Sequence, residues 1–164
     1  MKTVQTTLPI QCLCLAAVSW ALLGESAVAQ QQAPPRHASM PVATSDGQRI
    51  AFWSDRDGHA QIYTMKADGS DVRRITNSPR TDLGADWSPD GQWLVFASYA
   101  EGSDLGEITR VRADGTDRRT LARGKDARWP RVSSDGKKIA FTQEDEKDVD
   151  GVYVMDADGS NLLV

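Results

Sequence analysis

Cysteine is nearly missing from this chain of 164 residues: Cys12 and Cys14 are the only two, and both lie among the first fifteen. That excludes a disulfide scaffold and a cysteine-ligated zinc module from the rest of the chain. Histidine is as scarce, with His37 and His59 alone. A nucleophile triad would have to use one of these two, and no G-x-S-x-G occurs, so the residues supply no catalytic apparatus. A basic excess is lacking too. Nineteen Lys and Arg stand against 23 Asp and Glu, a net charge of −4, which argues against a nucleic-acid binder. Outside residues 8–23 no run is apolar enough to span a membrane. What remains is 40% hydrophobic and 26% charged, a globular composition, and the length suits one domain.

The apolar run LPIQCLCLAAVSWALL follows Lys2 and is followed by Ala27-Val28-Ala29. This is the order of a secretory signal peptide, so residues 1–29 are expected to be removed, with both cysteines. Residues 30–40, QQQAPPRHASM, are rich in Gln, Pro and Ala and read as a flexible linker in which His37 is solvated. The expected setting is the periplasm or the exterior, with no membrane span after cleavage.

One unit is then written three times. PVATSDGQRIAFWS from Pro41, ADWSPDGQWLVFAS from Ala85 and PRVSSDGKKIAFTQ from Pro130 align, with Phe52, Phe96 and Phe141 spaced by 44 and 45 residues. A second half repeats Ala-Asp-Gly at Gly69, Gly115 and Gly159. Each unit reads as four short strands, with Asp-Gly turns between strands one and two and between three and four. Four strands in about 45 residues is the size of a β-propeller blade. The predicted fold is all-β: three four-stranded antiparallel blades in an open arc or partial propeller. Blade 1 spans 41–84, blade 2 spans 85–129, and blade 3 spans 130–164 with its fourth strand incomplete.

The unit resembles the TolB-type WD-like propeller repeat. Trp87, Ser88, Pro89, Asp90, Gly91 and Phe96 match its first half, and Val152 through Gly159 match its second. The resemblance covers residues 41–164. It implies the propeller fold and does not fix a function, since the same repeat occurs in the envelope protein TolB and in propellers of prolyl-oligopeptidase-like peptidases. Thr109 and Arg110 depart from the Tyr63-Thr64 and Tyr153-Val154 pairs of the outer units.

Motifs with a chemical flavour have simpler readings. Asp156 to Asn161 lacks the carboxylate pattern of an EF-hand loop and reads as the repeated turn. Trp87 occupies an inner core slot, while Trp53 and Trp93 flank the apolar slots of strand two. No cofactor and no metal is implied. Both tight turns of a blade lie at one end of its sheet, so the variable connections lie at the other. These are 55–60, 100–106 and 143–150 between strands two and three, and 77–84 and 122–129 between blades. The first set is acidic and the second neutral to basic. Candidate partner-binding residues on these loops are Asp55, Arg56, Asp57, His59, Arg80, Asp82, Glu101, Asp104, Lys125, Arg128, Glu144, Asp145, Glu146 and Asp148.

The function read from the sequence is non-enzymatic binding of a protein or ligand in the periplasm or cell envelope. The alternatives are the truncated propeller of a larger enzyme, such as a prolyl-oligopeptidase-like peptidase, or a degenerate remnant. Three blades are expected not to close alone. Either the chain is a piece of a longer propeller, or two copies form a homodimer of six blades.

Overall fold

The computed structural model describes residues 37–164. The expected signal peptide, both cysteines and residues 30–36 lie outside the described residues. Ten strands follow one another, with no helix among the described residues: β1 (Ala38–Ala43), β2 (Arg49–Ser54), β3 (Gln61–Lys66), β4 (Arg73–Arg74), β5 (Thr81–Trp87), β6 (Trp93–Tyr99), β7 (Leu105–Arg112), β8 (Arg119–Val132), β9 (Lys138–Glu144) and β10 (Asp150–Asp156). All ladders are antiparallel. They form a four-stranded sheet, β1 to β4, and a six-stranded sheet, β5 to β10. Among the described residues no ladder returns from β10 to β1, so the arrangement is open.

The strands are short because the same turn chemistry interrupts them. In each first turn a hydroxyl bonds the aspartate two residues on: Thr44 to Asp46 (2.6 Å), Ser88 to Asp90 (2.5 Å) and Ser133 to Asp135 (2.6 Å). Each carboxylate also accepts an N–H two residues further, from Gln48, Gln92 and Lys137, all at 3.0 Å. The second turns repeat a different set. Asp68, Asp114 and Asp158 accept both the N–H and the hydroxyl of Ser70, Thr116 and Ser160. The next residue in each, Asp71, Asp117 and Asn161, has φ of +55°, a conformation Asp and Asn tolerate through local hydrogen bonds. Ala67, Ala113 and Ala157 then donate to the carbonyls of Gln48, Gln92 and Lys137, each at 2.9 Å, so both turns of a unit are tied at one end.

Successive strand residues face opposite sides, and β6 uses both. Leu94 and Phe96 join Ala51, Ile62, Ile75, Trp87 and Val111 in one core. Val95 and Ala97 join Ile108, Ala127, Ile139, Phe141, Tyr153 and Met155 in the other. Trp87 is buried, as its slot predicts.

The structure corrects three sequence expectations. Residues 122–129 are not a loop, since they lie within β8. Its first part pairs with β7 and its last part with β9, with register shifts between Lys125 and Arg128 and between Arg128 and Arg131. Asp126 and Trp129 take positive φ there, so the strand bends from one unit into the next without leaving the sheet. The expected linker ends early, because Ala38 already pairs with Ser54. His37 is tied as well, since its N–H and Nδ1 meet Asp55 at 2.8 and 3.0 Å. Finally, the 77–84 connection is partly strand, with β5 starting at Thr81. In the third unit the fourth strand is a single bridge, Val154 to Leu163.

Candidate functional site

The loop end of the sheets gathers most of the sequence-selected residues, but the fold consumes many of them. Asp55 holds His37, and those hydrogen bonds keep its carboxyl below the usual carboxylate range. Arg56 lies over Tyr63 and Phe52, 4.8 and 5.5 Å from the ring centres. Asp57 accepts the Tyr63 hydroxyl at 2.6 Å and sits 3.7 Å from Arg74. Burial first, and the Asp57 hydrogen bond second, push the Tyr63 hydroxyl up to about 12. Arg80 donates to the Ser98 hydroxyl (2.9 Å) and carbonyl (3.1 Å), with Glu107 at 3.5 Å.

Asp82 is a correction. It is fully buried, and Arg118 grips both of its oxygens, at 2.8 and 3.0 Å. It is therefore not presented to a partner. The departure at Thr109 accounts for this pair. Thr109 stands opposite Phe96, where the outer units stack Tyr63 on Phe52 and Tyr153 on Phe141. In place of a tyrosine ring, the Arg118 guanidinium lies over Phe96 at 5.0 Å and reaches Asp82.

The remaining candidates divide into two groups. At the junction of the second and third units, Lys125 pairs with Asp148 and with Glu144 (3.2 Å), and Arg128 pairs with Asp126 and with Asp150 (2.8 Å). Asp148 first, then Glu144, raise the Lys125 ammonium above its usual range. The basic band and the acidic rim thus neutralise one another. Asp145 caps its own loop by accepting the N–H groups of Lys147 (2.7 Å) and Val149 (3.0 Å). His59, Glu101, Asp104 and Glu146 are exposed on their loops.

Sequence reasoning missed the apolar part of this end. Leu105 and Val149 are exposed beside the Lys125 ion pairs, and Leu105 lies opposite Lys125 in the β7–β8 ladder. It also missed a second cluster, on the first strand of each unit. Met40, Gly84 and Trp129 sit at equivalent bulges, all with positive φ. A Cβ on Gly84 would stand in ordinary contact, 3.7 Å from Trp129 and 3.9 Å from Met40 Sδ, so it is the φ of +61° that favours glycine there. They line a shallow cavity of about 130 Å³ with Val42, Ala85 and Arg131. Trp129 is 52% exposed, with the Arg128 guanidinium 4.7 Å from its ring. The signal was in the sequence as one repeat position occupied by three dissimilar residues.

The chemistry available here is that of recognition: paired charges, an exposed indole and exposed aliphatic groups on a strand framework. Among the described residues no three of His, Cys, Asp and Glu are grouped to hold a metal.

A protein-family model, the TolB beta propeller domain, matches residues 25–164. An uncharacterized protein of Agrobacterium fabrum is 33% identical over 125 residues, which cover 71% of this chain and 42% of the relative. The Tol-Pal system protein TolB of Desulfosudis oleivorans is 43% identical over 63 residues, 38% of this chain and 14% of that protein. An uncharacterized peptidase of Bacillus subtilis, YuxL, is 35% identical over 81 residues, 48% of this chain and 12% of the peptidase. Among solved structures, a TolB-type protein from Agrobacterium tumefaciens superposes with a TM-score of 0.70 at 28% identity, covering 80% of this chain and 50% of that one. TolB from Acinetobacter baumannii gives 0.63 at 27%, covering 75% and 31%. The chain spans less than half the length of the curated relatives it matches. With a family model matched over residues 25–164 and the repeated four-stranded units on the page, the chain belongs to the TolB β-propeller domain family.

Proposed function

We propose that this protein is a non-enzymatic binding propeller of the periplasm or cell envelope, which engages a protein partner through the loop end of its sheets. The observation that carries this reading is the patch at the junction of the second and third units. Exposed Leu105 and Val149 flank the Lys125–Asp148 and Arg128–Asp150 pairs on a rigid strand framework. An apolar centre within a charged rim is the anatomy of a protein interface. The exposed candidates His59, Glu101, Asp104 and Glu146 form the outlying rim. The likeness to TolB of the Tol-Pal system supports the envelope setting. Site-specific photo-crosslinking in cells tests it. A crosslinker at Leu105 or Val149 is expected to trap a discrete partner, while one at Ser70, at the tight-turn end, traps none. Equal trapping at both ends, or none at either, would reject the loop end as the binding surface.

A second reading rests on the likeness to the Bacillus subtilis peptidase. There the propeller would belong to a hydrolase, and its gene would encode G-x-S-x-G followed by Asp and His beyond the propeller. Sequencing the DNA 3′ of this reading frame separates the two.

A further inference from the structure

We propose that the bulged first strands of the three units form a binding site for a single acidic sugar ring, a pyranose that carries a carboxylate. The site is separate from the loop-end patch. Met40, Gly84 and Trp129 hold one repeat position, and Val42, Asp86 and Arg131 hold another two residues on. β1 packs beside β5, and β5 beside β8, so the two rows lie on neighbouring strands. A ladder shift falls at each place, between Ser39 and Val42, between Leu83 and Asp86, and between Arg128 and Arg131. One frame therefore holds six different residues, although the turn after each first strand repeats the same hydroxyl–aspartate bond.

Part of the lining is flat and apolar. Trp129 is 52% exposed and has a φ of +52°, a conformation that a bulky residue keeps only where its surroundings impose it. Arg128 fixes the indole from one side, with its guanidinium 4.7 Å from the ring centre. Met40, itself exposed, and Trp129 both border the space beside Gly84, which puts no side chain into it. Another part of the lining is charged. The Arg131 side chain is 64% exposed and stands 4.0 Å from Asp86, beyond hydrogen-bond distance. The other oxygen of Asp86 accepts the Val132 N–H at 2.9 Å. A guanidinium so placed has donors to offer a carboxylate in bidentate fashion.

Size and backbone select the ligand class. The cavity of about 130 Å³ is well below the ~300 Å³ of sites that enclose drug-sized molecules, and it admits one six-membered ring. A purely apolar ring would make no use of Arg131. A pyranose turns its C–H face to an indole and its substituents outward, and a carboxylate among them matches the guanidinium. An extended peptide fits less well. β1 and β5 are edge strands of their sheets, where a peptide would add as a further strand. The ladder shifts interrupt those edges, and Pro41, within the first shift, has no N–H to donate.

Saturation-transfer NMR on the full-length protein tests the proposal, with methyl β-glucuronide as the probe and methyl β-glucoside as its neutral counterpart. The glucuronide is expected to bind with a millimolar Kd, and the glucoside at least about tenfold more weakly. In the protein's own N–H spectrum the glucuronide should move the indole signal of Trp129, identified by its loss in Trp129→Leu. Arg131→Gln, at an exposed position, should reduce glucuronide binding to the glucoside level while keeping the wild-type circular dichroism. Trp129→Leu should abolish it. Arg131→Gln removes the preference for the acid and not the fold, so a folding defect cannot imitate that result. Equal binding of the two sugars, no glucuronide binding in the millimolar range, or a glucuronide signal indifferent to both substitutions would overturn the proposal. So would movement of the Trp129 signal by the peptide acetyl-Glu-Phe-Glu-amide in place of the glucuronide. The loop-end surface is judged separately, by crosslinking at Leu105 and Val149.

Discussion

At the scale of single residues, the pair worth most to this fold is Asp82 with Arg118. Asp82 is inside, and a carboxylate without its guanidinium in that position is strongly unfavourable. Removing one member of a fully buried pair costs about 3–5 kcal/mol. Arg118 keeps part of its side chain in solvent and can rehydrate, so Asp82→Ala is expected to cost less, about 2 kcal/mol. Urea unfolding checks this as a lower midpoint at unchanged slope. A shift equivalent to under about 0.5 kcal/mol, the ordinary size of a surface effect, would make the pair incidental. Asp82 also marks where sequence reading stops. Its position after a connection made it look like a loop carboxylate, and only the cross-strand ladder brings Arg118, 36 residues on, against it. The departure at Thr109 was visible in the repeat, but its consequence, an arginine lying over Phe96, was not.

At the scale of elements, the six tight turns were legible because their chemistry is local. Asp-Gly at a fixed place needs only the neighbouring backbone, so spacing alone located them. Strand β8 was not legible. The run ARGKDARW carries the charge and small residues of a loop, and it is held extended by partners on two sides, β7 and β9. Gly106 belongs with it: a Cβ there would come within 2.3 Å of the Ala127 carbonyl oxygen, a backbone approach that no local pattern reveals. The turns make a prediction about acid. In Asp46, Asp90 and Asp135 the hydroxyl hydrogen bond, then the backbone one, lowers the carboxyl from the ordinary 3.8, and Asp68, Asp114 and Asp158 behave alike. A lowered folded-state value gives stability that is fully present above the unfolded value and lost as pH falls through the folded one. The thermal midpoint should therefore hold down to about pH 4 and fall below it. Asp90→Asn, which keeps the acceptor oxygen without the charge, should make that fall shallower. A midpoint that is flat from about pH 5 to 2.5 would show that the turn carboxylates do not couple to folding.

For the whole molecule, the order of stability follows from how the two cores share strands. The period of 44 and 45 residues made the repeated units readable, and the antiparallel ladders agree with them. It did not show that the second and third units form one six-stranded sheet while the first keeps its own. In repeat proteins each unit is stabilised by its neighbours, so a unit with two packed faces outlasts one with a single packed face. Among the described residues the second unit alone contributes to both cores: Leu94 and Phe96 of β6 lie in one, and Val95 and Ala97 in the other. The first unit joins its neighbour through packing and the Ser45 hydroxyl, which donates to the Pro89 carbonyl at 2.7 Å, but shares no sheet with it. Amide exchange by mass spectrometry is therefore expected to be slowest over residues 94–97 and 108–111. The β2–β3 hairpin should exchange ahead of them, and β10, whose outer edge carries only the Leu163 bridge, earliest of the three inner hairpins. Val95→Ala, which trims only the second core, should speed exchange in β9 and β10 while leaving β2 and β3 as they were. Uniform acceleration across all three units would mean that the described strands open as a single cooperative block, and the account of two cores hinged on β6 would fail.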